Sequence, residues 1–281
     1  MSKISIITVT KSRPQLLAQA IASLQAQTNQ DFEWIVINDG EDPAIEELIS
    51  KSSLNFPISY HNMPHLNLGF GLCYGRNRGL ILADGEIVTY LDDDNTFKPN
   101  FVAETISFFE THPQVSYSMP IQQRRRDVIE AGVVVKRDKE FFSPSLDCSN
   151  GLPSATAIEE LINHQQLIDS NGFCHRANAQ LSWNPDLRIY IDYEFLLRCV
   201  NLWGREKFAI NPVILVDYIQ TNQGIIGGSN YQDWGLELEW IVEHHHSYYC
   251  LDKGNILALD LLKNKYLSKH QDVQQIAAFA N

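Results

Sequence analysis

The fold of this chain is best predicted from the stretch Glu86-Ile87-Val88-Thr89-Tyr90-Leu91-Asp92-Asp93-Asp94-Asn95. Its first half is rich in β-branched and aromatic residues, which is typical of a buried strand. Its second half places three carboxylates and an amide where that strand ends, and ligands of open α/β sheets bind at the carboxyl ends of strands. Clustered carboxylates repel one another, and hard divalent cations prefer oxygen ligands. The stretch therefore predicts a cation site for a phosphate-bearing ligand, with an acidic, solvent-exposed turn as the alternative.

The composition is that of a soluble globular protein. The chain has 281 residues, of which 44% are hydrophobic and 20% are charged. This is enough for one large α/β domain, with or without a C-terminal extension. The formal net charge of -12 argues against nucleic acid or an anionic membrane as the main partner. We therefore expect no nucleic acid partner.

The cysteines and the N-terminal residues predict a cytoplasmic protein. The five cysteines include no CxxC pair and their number is odd, which favours reduced thiols. Met1-Ser2-Lys3 leads directly into a strand-like segment, without the features of a signal peptide. No apolar run reaches the length of a transmembrane segment.

Strand-like and helical segments alternate over the first hundred residues. Strands are predicted at residues 3–10, 32–38 and 58–61, ahead of the acidic stretch, and helices are predicted at residues 15–27, 44–50 and 72–83. Such alternation is typical of βαβ units. The predicted class is therefore α/β, with a mostly parallel central sheet flanked by helices.

The second half of the chain is predicted to mix helices, strands and loops. Helices are predicted at residues 101–112, 158–169, 193–203, 233–250 and 255–268, and strands at 115–119, 128–135 and 213–218. We interpret residues 141–153 as a loop, and the glycine-containing residues 222–230 as a flexible lid. The run Arg124-Arg125-Arg126, together with Lys136 and Arg137, predicts an exposed basic hairpin, with contact to an anionic acceptor as the alternative.

Three segments, in this order along the chain, resemble the family 2 glycosyltransferases, which have the GT-A fold. The first is the strand Ile4–Thr10 with Asp31–Gly40, the second is Gly75–Glu86 with the acidic residues Leu91–Asn95, and the third is Ile191–Arg198. The resemblance implies a GT-A domain over residues 1–230, with a nucleotide-binding half at 1–100 and an acceptor half at 101–230. Residues 231–281 would then form a C-terminal helical extension.

An enzyme of this family would be metal-dependent and inverting. The resemblance implies that a sugar moves from a nucleoside-diphosphate sugar, with a UDP-sugar favoured, to a hydroxyl of a saccharide or lipid-linked acceptor. Mn²⁺ or Mg²⁺ would be the cofactor, with Asp94 and Asp92 as ligands. Asp192 would be the general base, and Glu194 is the second candidate.

Nucleotide contacts are also implied by the resemblance. They fall on Thr8, Val9, Thr10, Arg13, Asp39, Arg76, Asp92 and Asp93. Several of these side chains have a simpler interpretation, because Asp39 with Gly40 is a common turn pair, and one of Arg76 and Arg78 would fit a solvent-exposed helix face, with Arg76 the better match to the family position. Asp192 would likewise fit a plain N-cap. Asp93 faces away from Asp92 in an extended segment, which favours structural hydrogen bonds for it.

Three other functions remain as alternatives. A sugar nucleotidyltransferase would need a glycine-rich phosphate loop after the first strand, and Thr10-Lys11-Ser12-Arg13 is not one. An aspartate phosphatase would carry its acids after the first strand, whereas here they follow about the fourth. A non-catalytic nucleotide-sugar-binding protein of the same fold would keep the site without the reaction. The donor sugar, acceptor, linkage and oligomeric state stay open, with a homodimer as one option.

Overall fold

Four parallel strands form the first half of the central sheet. The computed structural model describes residues 3–67, 69–130, 133–144, 154–163, 168–222 and 224–279. The parallel strands are β1 (Ile4–Thr10), β2 (Phe32–Asp39), β3 (Ile58–Met63) and β4 (Ile87–Tyr90), in the spatial order β3-β2-β1-β4. They are connected by α1 (Pro14–Gln25), α2 (Pro43–Lys51) and α3 (Gly71–Leu82). The alternation predicted for the first hundred residues is confirmed.

The second half of the sheet mixes strand directions. Its strands are β5 (Thr96–Phe97), β6 (Tyr117–Glu130), β7 (Val133–Arg137), β8 (Phe141–Ser143), β9 (Cys174–Arg176) and β10 (Phe208–Thr221). The order continues β4-β9-β6-β10-β5, and β7 and β8 also pair with β6. Only β6 and β10 are parallel in this half of the described sheet. The predicted parallel arrangement therefore describes the first half, and the sheet as a whole is mixed.

The helices of the second half cover the sheet and complete its core. They are α4 (Phe101–Thr111), α5 (Ser154–Asn163), α6 (Ile191–Trp203), α7 (Ile225–Gly228), α8 (Tyr231–Glu243) and α9 (Lys253–Phe279), with 3₁₀ turns at Arg205–Lys207 and His245–Ser247. Leu238 of α8 and Leu259 of α9 belong to the same buried cluster as Phe195 of α6. The C-terminal helices thus share a core with the residues that precede them.

The two separately predicted strands at 115–119 and 128–135 are wrong, because β6 is one continuous strand that ends in the β6–β7 hairpin. The polar residues between them obscured the strand pattern. Gln122 is fully buried and donates to the carbonyl of Asn171 at 2.7 Å. Arg124 is also mostly buried, so the predicted exposed basic hairpin begins only at Arg126. Tertiary partners for these polar groups outweigh the local pattern.

Several predicted boundaries in the second half also differ from the structure. The described part of α5 ends at Asn163, and residues 164–167 lie outside the described residues. Residues 141–143 of the predicted loop form β8, while residues 145–153 are not described. The predicted lid contains the short helix α7. The predicted helix 233–250 ends at Glu243, where a 3₁₀ turn follows.

Strand β1 buries side chains on both faces of the sheet. Ile4 and Ile6 pack in the cluster that contains Leu17 of α1, whereas Ile7 and Val9 pack in the cluster that contains Cys73 of α3. The alternation follows from the two-residue repeat of a strand. Helices therefore cover both faces, as expected for strands that are buried on both sides.

Two glycines of α3, Gly75 and Gly79, allow the helix to pack closely on β1, and Gly79 has the shorter distance to its neighbour. Replacing Gly79 with alanine should destabilise the protein by about 1 to 3 kcal/mol through overpacking, since its Cβ would lie 2.5 Å from Ile7 Cγ2. The better helix propensity of alanine, about 1 kcal/mol, offsets only part of this loss. Urea unfolding measures the difference. Gly228→Ala is the control, because nothing lies within 4 Å of its added Cβ, and equal losses in both variants would contradict the prediction.

Candidate active site

A cavity of about 570 Å³ opens where the acidic stretch follows β4. Its walls come from both halves of the chain. The first half contributes Val9, Arg13, Leu72, Arg76, Asp92, Asp94 and Asn95, and the second half contributes residues that include Asp169, Asp192, Tyr218 and Trp234. The cavity lies at the carboxyl end of β4, where a parallel sheet is expected to bind its ligands.

Asp92 is held at the start of a turn by Asn171. The Asp92 N–H donates to Asn171 Oδ1 at 2.7 Å, and Asn171 Nδ2 donates to Asp92 Oδ2 at 2.9 Å. The Asn95 N–H donates to the Asp92 carbonyl at 3.2 Å, so the backbone turns here and does not remain extended. Asp92 and Asp94 still line the same cavity. The two side chains therefore face the same cavity from a turn and not from an extended segment.

Arg13 provides positive charge next to the acidic turn. Its guanidinium lies 2.6 Å from Asp93 Oδ1 and 3.3 Å from Asp94 Oδ2. Asp93 is fully buried and also accepts a hydrogen bond from the Thr10 hydroxyl at 2.6 Å. Asp93 thus stabilises the turn through its buried contacts with Thr10 and Arg13, whereas the Asp94 side chain is 34% exposed to the cavity.

Arg76 lies between two carboxylates that belong to different halves of the chain. Its guanidinium donates to Asp92 Oδ1 at 2.8 Å, to Asp192 Oδ1 at 3.3 Å and to Ser170 Oγ at 2.7 Å. It is 2% exposed and lies 4.3 Å from the ring centre of Trp183. The interpretation as a solvent-exposed helix face is wrong for Arg76.

Asp192 lies in the first turn of α6, but the prediction that it is the N-cap is wrong, because that position is occupied by Tyr190. The helix starts two residues before the predicted start. The carboxylate of Glu237 accepts the backbone N–H groups of Arg188, Ile189 and Tyr190 at 2.7 to 2.9 Å. This contact fixes the chain ahead of the helix, so no side-chain cap from Asp192 is needed.

The ionisation of Asp192 is shifted toward neutral pH. Burial raises its pKa, the charge of nearby Asp169 raises it further, and Arg76 offsets part of the rise, which leaves the pKa at about 7. The Asp192 side chain is 23% exposed and lines the cavity. A carboxylate with this pKa is suited to accept a proton near neutral pH.

The pKa values of the three carboxylates in the turn are shifted in different directions. Burial and the charge of Asp92 raise the pKa of Asp94 to about 7. Burial raises the pKa of Asp93 to about 6, although Arg13 opposes it. Burial also acts on Asp92, but the charge of Arg76 and the hydrogen bond from Asn171 outweigh it, so the pKa of Asp92 is lowered. The region therefore binds a positive charge favourably.

Two other residues predicted at the site, Thr8 and Asp39, are not among the residues that line the cavity. The Thr8 hydroxyl donates to the Leu91 carbonyl at 2.7 Å and accepts from Trp34 Nε1 at 2.9 Å, so Thr8 is used inside the fold. Asp39 is buried at the end of β2, with His65 Nδ1 at 2.9 Å. Val9 does line the cavity.

Glu194 does not line the cavity. Its buried carboxylate accepts from Arg198 Nε at 2.6 Å and from the Tyr248 hydroxyl at 2.7 Å. These partners give it a structural environment, which favours Asp192 over Glu194 as the acid that faces a ligand.

Several residues of the site were missed in the sequence. Asp169 and Asn171 had no predicted role, and Arg124 was predicted only on an exposed basic hairpin, yet Asn171 Nδ2 also donates to Asp169 Oδ1 at 3.0 Å and Arg124 Nη2 lies 3.4 Å from Asp169 Oδ2. The available signal was the turn-forming run Asp-Ser-Asn-Gly that ends at Gly172, where φ is +77°. This pattern predicts a turn but not its partners.

No three His, Cys, Asp or Glu side chains in the described part of the chain are close enough to form a complete metal site. Asp92 and Asp94 provide two carboxylates that remain partly exposed to the cavity. A cation held here would take its other oxygen ligands from a bound phosphate or from water.

The sequence matches the family model for glycosyl transferase family 2 over residues 5–146, just over half of the chain. The chain belongs to this family. The predicted resemblance to this family is thereby confirmed.

Two relatives illustrate the range of the similarity. The uncharacterized glycosyltransferase YwdF of Bacillus subtilis is 32% identical over 215 residues, which cover 75% of this chain and 73% of YwdF. An uncharacterized glycosyltransferase of Nostoc sp. is 30% identical over 109 residues, which cover 39% of this chain and 33% of the relative. The match with the Nostoc protein thus spans about a third of its length.

Solved structures agree on the fold. Staphylococcus aureus TarS 1–349, in complex with UDP-GlcNAc, has a TM-score of 0.63 at 13% identity, covering 95% of this chain and 72% of that chain. The mannosyltransferase PcManGT of Pyrobaculum calidifontis, with GDP-Man and Mn²⁺, has a TM-score of 0.58 at 12% identity, covering 99% and 76%. These similarities confirm the predicted GT-A fold. No helix in the described ranges is long and apolar enough to cross a membrane.

Arg76→Met should lower the free energy of unfolding by about 3 kcal/mol, because it leaves Asp92 and Asp192 as partly buried carboxylates without their shared cation. Urea unfolding at pH 8 measures this loss. Arg78→Met is the matched control, since Arg78 is exposed on the same helix. An equal stability of the two variants would show that the Arg76 ion pairs are not structural.

Proposed function

We propose that the protein transfers a sugar, with inversion, from a nucleoside-diphosphate sugar to an acceptor hydroxyl. The observation that carries this proposal is the arrangement around Arg76, which holds Asp92 on one side and Asp192 on the other within a single cavity. A donor diphosphate near Asp92 and Asp94 would place its sugar toward Asp192. The two carboxylate groups thus have separate tasks in one reaction.

The donor is proposed to be a nucleoside-diphosphate sugar, with a UDP-sugar favoured. The GT-A proteins TarS and PcManGT are described with UDP-GlcNAc and GDP-Man, which supports this class of donor. Asp39 lies at the end of β2 and could accept a hydrogen bond from the imide N–H of uracil. Val9 and Arg13 line the cavity between this strand end and the acidic turn.

The acidic turn fits a divalent cation bound together with the donor. Its three carboxylates have two cationic neighbours, Arg13 and Arg76, and Arg76 is shared with Asp192. The turn therefore keeps an excess of negative charge, and Asp94 and Asp92 would hold Mn²⁺ or Mg²⁺. Such an ion would offset the charge that develops on the leaving diphosphate.

Asp192 is proposed as the general base. Its carboxylate would accept the proton of the acceptor hydroxyl while that oxygen attacks the anomeric carbon from the face opposite the diphosphate. Arg76 keeps the Asp192 carboxylate in position through the 3.3 Å contact. The bond from the sugar to the diphosphate breaks as the new glycosidic bond forms.

Nucleotide binding should stabilise the protein only together with the cation. Thermal unfolding is measured with UDP, GDP, dTDP and CDP, each with and without Mn²⁺, and a ligand at about 100 times its Kd should add about 2.7 kcal/mol. Asp94→Ala should remove the Mn²⁺-dependent part. Asp84→Asn is the control, because Asp84 is an exposed acid before β4. An absence of any shift would contradict the donor site, and release of pyrophosphate from a sugar phosphate would instead favour a nucleotidyltransferase.

Loss of the general base should stop turnover without unfolding the protein. Asp192→Asn is expected to lower kcat by about 10²-fold to 10⁴-fold, while the Mn²⁺-dependent nucleotide shift remains. The exposed acid Asp186 gives the control variant Asp186→Asn. With saturating Mn²⁺, kcat/KM of the wild type should rise with pH and then level off, because Asp192 must lose a proton before it can act and burial with the charge of Asp169 raises its pKa. The plateau should begin below pH 7, because the nearby cation favours the ionised carboxylate. Near-normal turnover of Asp192→Asn would exclude this assignment.

A further inference from the structure

Arginine is concentrated in the cavity of this acidic chain. Five of the eleven arginines line it, whereas none of the lysines that the structure describes does so. The five are Arg13, Arg76, Arg124, Arg126 and Arg188. Arginine presents a planar, permanently charged fork that suits carboxylate and phosphate groups, so this enrichment points to a ligand with negative charge.

Three of these arginines already have carboxylate partners. Arg13 contacts Asp93 and Asp94 and Arg76 contacts Asp92 and Asp192, as described above. Arg124 lies 3.4 Å from Asp169 Oδ2, and its guanidinium lies 4.1 Å from the ring centre of Tyr218. The positive charges of these three arginines are therefore already paired with carboxylates of the cavity.

Arg126 and Arg188 differ from the other three. Neither forms an ion pair with a carboxylate within the described ranges. Arg126 Nε donates to the neutral amide of Gln220 at 3.1 Å. Arg188 is exposed at the cavity, and nearby Glu237 is occupied by three backbone N–H groups. Both side chains belong to the second half of the chain, and they line the same cavity as the acidic turn that would hold the donor.

Aromatic side chains line the same part of the cavity. They are Phe141, Phe142, Tyr190, Tyr218 and Trp234. The guanidinium of Arg126 lies 5.7 Å from the ring centre of Phe141, which holds it in a defined orientation. Aromatic faces suit the apolar C–H surface of a sugar ring, so rings and charges are combined at one site.

We propose that the acceptor is a saccharide carrying an anionic group, which Arg126 and Arg188 bind while the aromatic residues contact its ring. This inference rests on the proposed function, because it assigns the acceptor side of the same cavity. A phosphate and a carboxylate share the chemistry that these arginines recognise. The anionic group would bind in the second half of the cavity, with the acceptor hydroxyl directed to Asp192.

The test measures the binding of three probes by isothermal titration calorimetry. Glucose 6-phosphate and glucuronic acid carry the two candidate anions, and methyl glucoside carries none. The protein is first saturated with Mn²⁺ and the nucleoside diphosphate that stabilises it, so that the donor site is blocked. An anionic probe should bind at least about tenfold more tightly than methyl glucoside, as expected for one charge-assisted contact. The better of the two anionic probes identifies the anion.

The variants separate the two arginines from a general charge effect. Arg126→Gln with Arg188→Gln should abolish the preference for the anionic probe while the nucleotide shift remains. Arg137→Gln is the matched control, because Arg137 is a well-exposed arginine on the hairpin outside the cavity and should keep the preference. Equal binding of neutral and anionic probes, or a preference that survives the double variant, would overturn the proposal. Inorganic phosphate that binds as tightly as glucose 6-phosphate would overturn the saccharide part.

The same titration without nucleotide separates the two hypotheses. Arginine-dependent selectivity for the anionic probe in a protein that binds no nucleoside diphosphate would support the anion site and reject the proposed donor. Nucleotide binding without anion selectivity would leave the donor site intact and reject the acceptor class.

Discussion

The buried guanidinium of Arg76 is the interaction on which the site depends. It joins Asp92, which follows β4 in the first half of the chain, to Asp192, which begins α6 in the second half. A partly buried carboxylate is costly without a cation, and the Arg76 guanidinium supplies one cation to both of these acids. The Arg76 guanidinium also packs against the ring of Trp183, which restricts its orientation. The distance between the acidic turn and the proposed base is therefore set by one rigid side chain.

The contacts around the acidic turn stabilise Asp92 and Asp93 and keep the carboxylate of Asp94 accessible. Thr10 and Arg13 satisfy Asp93 below the turn, and Asn171 satisfies Asp92 at its side. Asp94 accepts a hydrogen bond from Asn95 Nδ2 at 2.9 Å, and it has only the longer 3.3 Å contact to Arg13 and remains exposed to the cavity. Repulsion among the three acids is thus relieved more fully for Asp92 and Asp93 than for Asp94. A site built this way gains most from a cation that arrives with its ligand.

The sequence predicted those parts of the structure that follow from local pattern. The four parallel strands and their helices have strong periodicity, and the acids after β4 follow the rule for strand ends, so both were predictable. Strand β6 was not, because Gln122 and Arg124 are polar side chains buried against Asp169 and Asn171. The contact of Asn171 with Asp92 spans 79 positions. No local pattern can encode a partner at that distance.

The net charge describes the surface of this protein better than its cavity. A value of -12 predicts that a polyanion is not attracted to the outside of the molecule. Inside the cavity, however, five guanidiniums are gathered on separate segments, from Arg13 after β1 to Arg188 before α6. Only Arg124 and Arg126 are near neighbours in the sequence, and the fold brings the other three to the same cavity. A site for an anionic saccharide is therefore compatible with an acidic chain, because charges more than a Debye length of about 8 Å away are largely screened, whereas guanidiniums next to the ligand act at short range.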